Sequence, residues 1–367
     1  MRLTPIAEGL PSTVPFVGPE TLARRAGVEL PVRIGANESP FGPSPKVLRA
    51  MAEALGDVWT YGEPENHELK QALAAFHGVG PENICVGEGI DGLLGNLVRL
   101  LVRPGVHVVT SDGAYPTFNY HVAGFGGTLT KVPYRNDHED PDALAAAANE
   151  TDAALVYLSN PDNPMGTWLP AARVEALADA LPPGTVLCLD EAYSQTAPED
   201  AIPPMLPLRS NVIRMRTFSK AYGLAGQRVG YAIAEAPLAQ AFDKVRNHFG
   251  VNKLGQVAAL AALEDQAYLR AVLGRIEEAK ERIAAIVRTN GLAPIPSGTN
   301  FVTFDCGRDA GFATAVVEGL GRRGIFVRKP MAPGLDRCVR VSAGLPAHLD
   351  ALEAALPAVL DEAARAA

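Results

Sequence analysis

Three short segments bring together residue types that suit one kind of chemistry. They are Ser159-Asn160-Pro161-Asp162-Asn163-Pro164-Met165-Gly166, then Leu187-Cys188-Leu189-Asp190-Glu191-Ala192-Tyr193, then Arg216-Thr217-Phe218-Ser219-Lys220 running on to Arg228. The amine of Lys220 can form a Schiff base with a carbonyl and afterwards carry a proton as base and acid. Asp190 follows the apolar run Val186–Leu189, so its carboxylate stands at a buried strand end. Asn163, Tyr193, Thr217, Ser219 and Arg228 add hydrogen-bond donors to the same three segments. Each residue alone has an ordinary alternative: a lysine is usually a solvated surface charge, an acid after a strand a helix cap, an arginine half of an ion pair. The weight rests on their joint occurrence.

These residues need elements to hold them at one edge. The middle of the chain alternates apolar strands with helices. The spacing predicts strands at Asn83–Val86, His107–Thr110, Ala154–Leu158, Val186–Leu189, Val212–Arg216 and Arg228–Ala234. Helices are predicted at Asp91–Leu101, Pro116–Gly124 and Ala171–Ala180, and the alanine-rich Ala143–Ala148 also reads as helix. Strands alternating with helices imply an α/β fold with a mainly parallel central sheet covered on both faces. The three segments then lie at carboxyl ends of strands, where such sheets bind ligands. After about Asp243 the pattern changes to long helices over Val257–Asn290, followed by strands at Asn300–Phe304, Ile325–Arg328 and Val339–Ser342, with helices at Ala310–Arg323 and Leu349–Ala366. This predicts a large domain over residues 36–245 and a smaller α+β domain built from residues 1–35 and 246–367.

Gly87-Glu88-Gly89-Ile90-Asp91-Gly92 is a GxGxxG after a strand and before a helix, and Asp112 follows Gly92 by about 20 residues. On paper this is a dinucleotide-binding fingerprint, and an NAD-dependent oxidoreductase is the rival reading. It leaves the Asn163, Asp190 and Lys220 set unexplained. Its physical content survives in either case: glycines let the backbone approach a phosphate, and a helix N-terminus attracts negative charge.

Bulk properties exclude other classes. The chain has 367 residues with 33 basic and 41 acidic side chains, a net charge of −8, which argues against a nucleic-acid partner. No run is apolar and long enough to span a bilayer, and the first residues do not read as a secretory signal. The four cysteines are scattered without a CxxC pair, so neither a metal centre nor a disulfide framework is expected, and a cytoplasmic location is.

The same segments closely resemble the fold-type I, pyridoxal 5′-phosphate (PLP)-dependent aminotransferases of class I/II, and within them the histidinol-phosphate aminotransferase group. The likeness runs from Asn37-Glu38-Ser39-Pro40-Phe41-Gly42-Pro43 to Arg340. It implies the aspartate aminotransferase-like fold. It implies that Lys220 holds the cofactor, that Asp190 pairs with the pyridinium nitrogen, and that Asn163 and Tyr193 donate to the phenolate oxygen. Tyr115 would stack on the ring. The backbone at Ile90 and Asp91, with Thr217, Ser219 and Arg228, would grip the phosphate. Tyr61 would reach that phosphate from the neighbouring subunit of a homodimer. Arg340, Arg328, Asn37 and Phe16 would read the substrate, which leads to amino transfer between histidinol phosphate, with aromatic amino acids next, and a 2-oxo acid such as 2-oxoglutarate, as in histidine biosynthesis. Three positions depart from the group: Phe16 stands where a tyrosine is usual, Gly92 where an acid is usual, and Met165 where a threonine is common. A PLP-dependent decarboxylase of an amino-acid phosphate is the alternative on the same scaffold. A PLP-sensing regulator module is weaker, because neither end carries a DNA-binding extension.

Overall fold

A computed structural model describes residues 1–11 and 17–366, so Phe16 lies outside the described residues. The main sheet has seven strands. Their spatial order is Ile84–Gly87, Gly230–Ile233, Val212–Thr217, Val186–Asp190, Leu155–Ser159, His107–Ser111 and Thr128–Val132. The last five of these pair in parallel, and Gly230–Ile233 runs antiparallel to both its neighbours. The sheet is therefore mainly parallel, as the strand–helix alternation predicts.

Three expectations change in detail. Thr128–Val132 is an edge strand that the sequence pattern does not announce, because its polar Thr128 and Lys131 face solvent. The strand expected over Arg228–Ala234 contracts to Gly230–Ile233 and runs in reverse. Arg228 thus stands before an antiparallel strand, not after a parallel one, and reaches the same sheet edge from the opposite direction. The helical stretch Val257–Asn290 is two helices, Lys253–Glu264 and Gln266–Thr289, divided at Asp265. The Asp265 carboxylate accepts from the Tyr268 amide at 3.4 Å and so caps the second helix.

Strand periodicity decides which residues share a face. Leu155, Tyr157, Cys188, Ile213 and Met215 pack with Leu93, Leu97 and Phe118 from helices Gly89–Leu101 and Pro116–Gly124. Val156, Leu158, Leu187 and Leu189 pack on the other side with Leu144 and Val174, from helices Pro141–Thr151 and Ala171–Ala180. Two residues beyond Tyr157, Cys188 and Met215 come Ser159, Asp190 and Thr217, so all three turn toward the helix Gly89–Leu101. The register sets Ser159 opposite Asp190.

A second, antiparallel sheet has Phe301–Asp305 between Cys338–Ser342 and Ala293–Pro294. Near the start of the chain Val32–Arg33 pairs in parallel with Ile325–Phe326, which ties residues far apart in sequence. Helix Lys253–Glu264 packs on helices Pro45–Ala54 and His67–His77. One continuous apolar core links these helices to the second sheet through residues such as Val47, Leu73, Ala258, Phe304 and Val341. Among the described residues no helix is long and apolar enough to cross a membrane.

Candidate active site

Two adjoining cavities lie at the carboxyl edge of the main sheet. The inner one, about 260 Å³, is lined by Ile90, Asp91, Asp190, Thr217, Ser219 and Arg228, with Tyr115, Asn163, Tyr193 and Lys220 also on its wall. The outer one, about 670 Å³, shares Tyr115, Asn163 and Lys220 with the inner and adds Asn37, Arg328 and Arg340. The structure therefore brings together every sequence-predicted site residue except two. Phe16 is outside the described residues. Tyr61 lines neither cavity; it is 79% exposed and rests against Phe249, with ring centroids 4.8 Å apart.

At one end of the inner cavity the chain makes an anion cradle. Gly89 has φ +73° and opens the helix Gly89–Leu101. A Cβ built on Gly89 would come within 2.7 Å of an Arg228 Nη, and one on Gly230 within 2.7 Å of the Ile90 nitrogen. Both positions need glycine for the guanidinium and the helix N-terminus to converge. The Thr217 hydroxyl accepts from the Ser219 amide at 3.0 Å, which folds the two hydroxyls into one corner. Arg228 itself is in the left-handed region at φ +56° and donates to the Ala225 carbonyl at 3.1 Å. Backbone amides at a helix N-terminus, two hydroxyls and an arginine make a fitting phosphate site.

At the other end Asp190 is buried, and burial pushes its carboxyl up to about 6. Opposing this, Oδ2 accepts from Tyr157 Oη at 2.7 Å and Oδ1 from the Ala192 amide at 2.9 Å, and Lys220 adds positive charge nearby. A ring N–H⁺ placed against it would supply the cation that burial otherwise demands. Tyr157 was not singled out by the sequence. It sits in an apolar strand and reads as core, stacked on Phe118 with centroids 4.6 Å apart; only the register puts its hydroxyl on Asp190.

Lys220 stands between the cavities. Burial, with Arg340 close by, lowers its amine to about 8. Its Nζ donates to the Asn37 carbonyl at 3.2 Å. Asn37, expected only at the substrate, is also a structural hub. Its side chain donates to Tyr193 Oη at 2.9 Å and accepts from Ser342 Oγ at 3.0 Å, with φ at +55°. Arg340 donates to Asn163 Oδ1 and to the Gly35 carbonyl at 3.1 Å, and its buried Nε has no partner. Burial first, and Arg328 second, lower its pKa to about 10. Its backbone pairs with that of Arg328 in an isolated bridge, which sets both guanidinium groups at the outer cavity, where one Arg328 Nη donates to the Val17 carbonyl at 2.7 Å. A buried arginine bonded to neutral oxygens has affinity to spare for an incoming anion.

The family model for aminotransferase class I and II matches residues 31–356.

The chain belongs to that aminotransferase family.

It is 36% identical over 366 residues to histidinol-phosphate aminotransferase 1 of Mesorhizobium japonicum, which spans 98% of this chain and 96% of the relative. It is 56% identical to the crystallised histidinol-phosphate aminotransferase of Sinorhizobium meliloti in complex with pyridoxal 5′-phosphate, with a TM-score of 0.95 and 98% of each chain covered. Aspartate aminotransferase from Thermus thermophilus, 24% identical, superposes with a TM-score of 0.79 over 98% of this chain and 100% of that one. The fold is thus the aspartate aminotransferase-like one that the sequence resemblance implies.

Membership of the aminotransferase family removes the oxidoreductase reading of Gly87–Gly92. The sheet gives the physical reason. Among the described residues Ile84–Gly87 is an edge strand, bonded to the antiparallel Gly230–Ile233. A dinucleotide fingerprint opens from a central strand of a parallel half-sheet. In this aminotransferase Gly89 instead lets the start of the helix Gly89–Leu101 approach Arg228 at the inner cavity.

Proposed function

We propose that this aminotransferase uses PLP to move an amino group between histidinol phosphate and a 2-oxo acid such as 2-oxoglutarate. One observation carries the reading: Lys220 Nζ lies on the wall shared by a cavity that ends in Asp190 and an anion cradle and a cavity that ends in two arginines. The relatives named histidinol-phosphate aminotransferase, one of them crystallised with PLP, support it.

When bound, PLP supplies an electron-accepting ring that stabilises negative charge on the substrate carbon. The chain's own residues do the rest. Asp190 would meet the ring nitrogen and keep it protonated. The helix N-terminus at Ile90 and Asp91, with Thr217, Ser219 and Arg228, would hold the phosphate. Tyr193 Oη and the amide of Asn163 would donate to the ring oxygen, and Tyr115 would cover the ring. The Lys220 amine would serve as the base and acid that moves the substrate's proton. Arg340 and Arg328 grip the anionic end that histidinol phosphate and 2-oxoglutarate have in common, so one pair serves both half-reactions.

The exposed Tyr61, with Trp59 at 83% exposure beside it, supports a homodimer in which this segment covers the partner's cradle. A division into a large domain at 36–245 and a smaller one made from both ends, and a cytoplasmic location, belong to the same reading.

A half-reaction assay tests it. Mixing the yellow protein with histidinol phosphate should bleach the cofactor's visible band, and 2-oxoglutarate should restore it. Lys220→Ala should show neither change. Release of carbon dioxide without any need for a 2-oxo acid would point to a decarboxylase instead.

A further inference from the structure

The chain from Arg328 to Arg340 is a loop closed at its base. There the two arginines pair through their backbones, the Arg328 amide on the Arg340 carbonyl at 3.2 Å and the return bond at 2.6 Å. The tip, Lys329 to Pro333, forms part of the outer cavity's wall. Within the loop the Leu335 and Asp336 amides donate to the Ala332 carbonyl at 3.1 and 3.0 Å. Ala332 and Leu335 press on Gly113 at the edge of the main sheet, where a Cβ would come within 2.8 Å of Ala332 Cβ. The placement of this loop therefore sets both the cavity wall and the two arginines at its base.

Arg337, near the end of the loop, is held by two carboxylates and a carbonyl. One Nη reaches both carboxylate oxygens of Asp137 at 2.9 Å, Nε donates to Asp305 Oδ2 at 2.8 Å, and the other Nη donates to the Gly334 carbonyl. Asp305 ends the middle strand of the second sheet. Asp137 follows the main sheet's edge strand Thr128–Val132, and its carbonyl accepts from Thr167 Oγ1 at 2.9 Å. The Thr167 carbonyl accepts from the Asp162 amide at 2.8 Å and so closes the turn that carries Asn163. Asn163 meets Arg340 through its side-chain oxygen. Arg337 and Arg340 thus hold one turn from two sides, the first through Asp137 and the second directly.

We propose that Arg337 is a positioning residue: its ion pair with Asp137 clamps the Arg328–Arg340 loop to the Asn163 turn and so places the two arginines that read the substrate. Arg337 lines neither cavity, so it acts through the loop. Lys329, the other cation between the two arginines, donates to the Asp336 and Ala310 carbonyls, which ties the loop to itself and to the helix Ala310–Arg322 rather than to the main sheet. The packing of Ala332 and Leu335 is non-directional. A guanidinium shared by two carboxylates fixes orientation as well as distance. Its side chain is 31% exposed, and those of Asp137 and Asp305 are 25% and 28%, so water screens the cluster only in part. A small displacement of the loop weakens the grip on a substrate anion while the chemistry at Lys220 stays in place.

The effect on substrate rests on the reading of the outer cavity as the place where histidinol phosphate binds; the clamp itself does not. Hydrogen–deuterium exchange of the purified protein tests the clamp. Arg337→Met removes every one of its bonds. Asp137→Gly removes one carboxylate and suits the φ of +64° at that position. Both should speed exchange of the Leu335 and Asp336 amides about tenfold and leave the strand Val186–Asp190 as slow as in the parent. Arg337→Lys, a point charge that cannot fork between two acids, should fall between. Steady-state kinetics test the positioning. KM for histidinol phosphate should rise about fivefold in Arg337→Met and in Asp137→Gly, with kcat and PLP affinity within about twofold of the parent. The two substitutions combined should raise KM no further than Arg337→Met alone. Unchanged exchange in both single variants would overturn the clamp. An unchanged KM despite faster exchange, or a kcat and PLP affinity that fall in step with the loss in KM, would refute the positioning role. A parent protein that does not act on histidinol phosphate would undo the functional reading of the cavity, and the exchange result would still decide the clamp.

Discussion

At the scale of single residues the site is a set of ionisable groups held away from their ordinary behaviour by burial. Lys220 is the plainest. Burial and the nearby Arg340 disfavour the ammonium form and lower its pKa to about 8. A depressed lysine is neutral above its folded pKa, and only the neutral amine attacks a carbonyl. The rate at which cofactor-free protein acquires its yellow colour on adding PLP should therefore rise with pH and level off above about 8. Stopped-flow absorbance across this range checks it. A rate still climbing toward the ordinary lysine range near pH 10.4 would contradict the burial argument. Asp190 shows the complementary case. Two hydrogen bonds and the neighbouring lysine do not fully offset its burial, and a ring cation would complete the set.

At the scale of elements, the end of the Val186–Asp190 strand is anchored from below by a buried ion cluster. The Glu191 carboxylate, fully buried, accepts from Arg214 Nη2 at 2.5 Å and from Arg216 Nε at 2.8 Å. Burial opposes its charge, but Arg216 and Arg214 prevail and hold its carboxyl below the ordinary range. Such a group stabilises the fold above its unfolded pKa, and that stability is lost as pH falls through the lower folded value. Glu191→Gln leaves two buried guanidinium groups without a counter-charge and should cost about 3–5 kcal/mol. Urea unfolding of the parent and variant at pH 7 measures it, and the difference should shrink in acid. The cluster sits one residue from Asp190, so it braces the strand end that presents the proposed cofactor contact.

At the scale of the whole molecule, the exposed Tyr61 makes a prediction that no single chain can satisfy. Tyr61 lines neither cavity of its own subunit. If it serves the partner's cradle, the two halves of one site come from different chains. Lys220→Ala and Tyr61→Ala proteins should each be weak alone. Unfolded together and refolded as a mixture, half of the dimers are mixed and each has one intact site, so about a quarter of the parent activity should return. No recovery in a mixture shown to contain mixed dimers would place Tyr61 outside the active site.

The sequence by itself determined the chemistry and the class of fold. Asp190 after an apolar run, Lys220 after Ser219, and Arg228 beyond a glycine-rich stretch are legible because local pattern dictates strand ends and turns, and because side-chain chemistry does not depend on distant contacts. Strand–helix alternation likewise made the parallel sheet legible. Other features were decided only by tertiary structure, because they rest on pairing between segments far apart in sequence. The reversal of Gly230–Ile233 places Arg228 and comes from strand pairing that no local pattern records. The polar edge strand Thr128–Val132 has no buried face on one side to give it a signature. Tyr157 reads as core until the Ser159–Asp190 register brings its hydroxyl to a carboxylate 33 residues away. Asn37 joins Lys220, Tyr193 and Ser342 across more than half the chain.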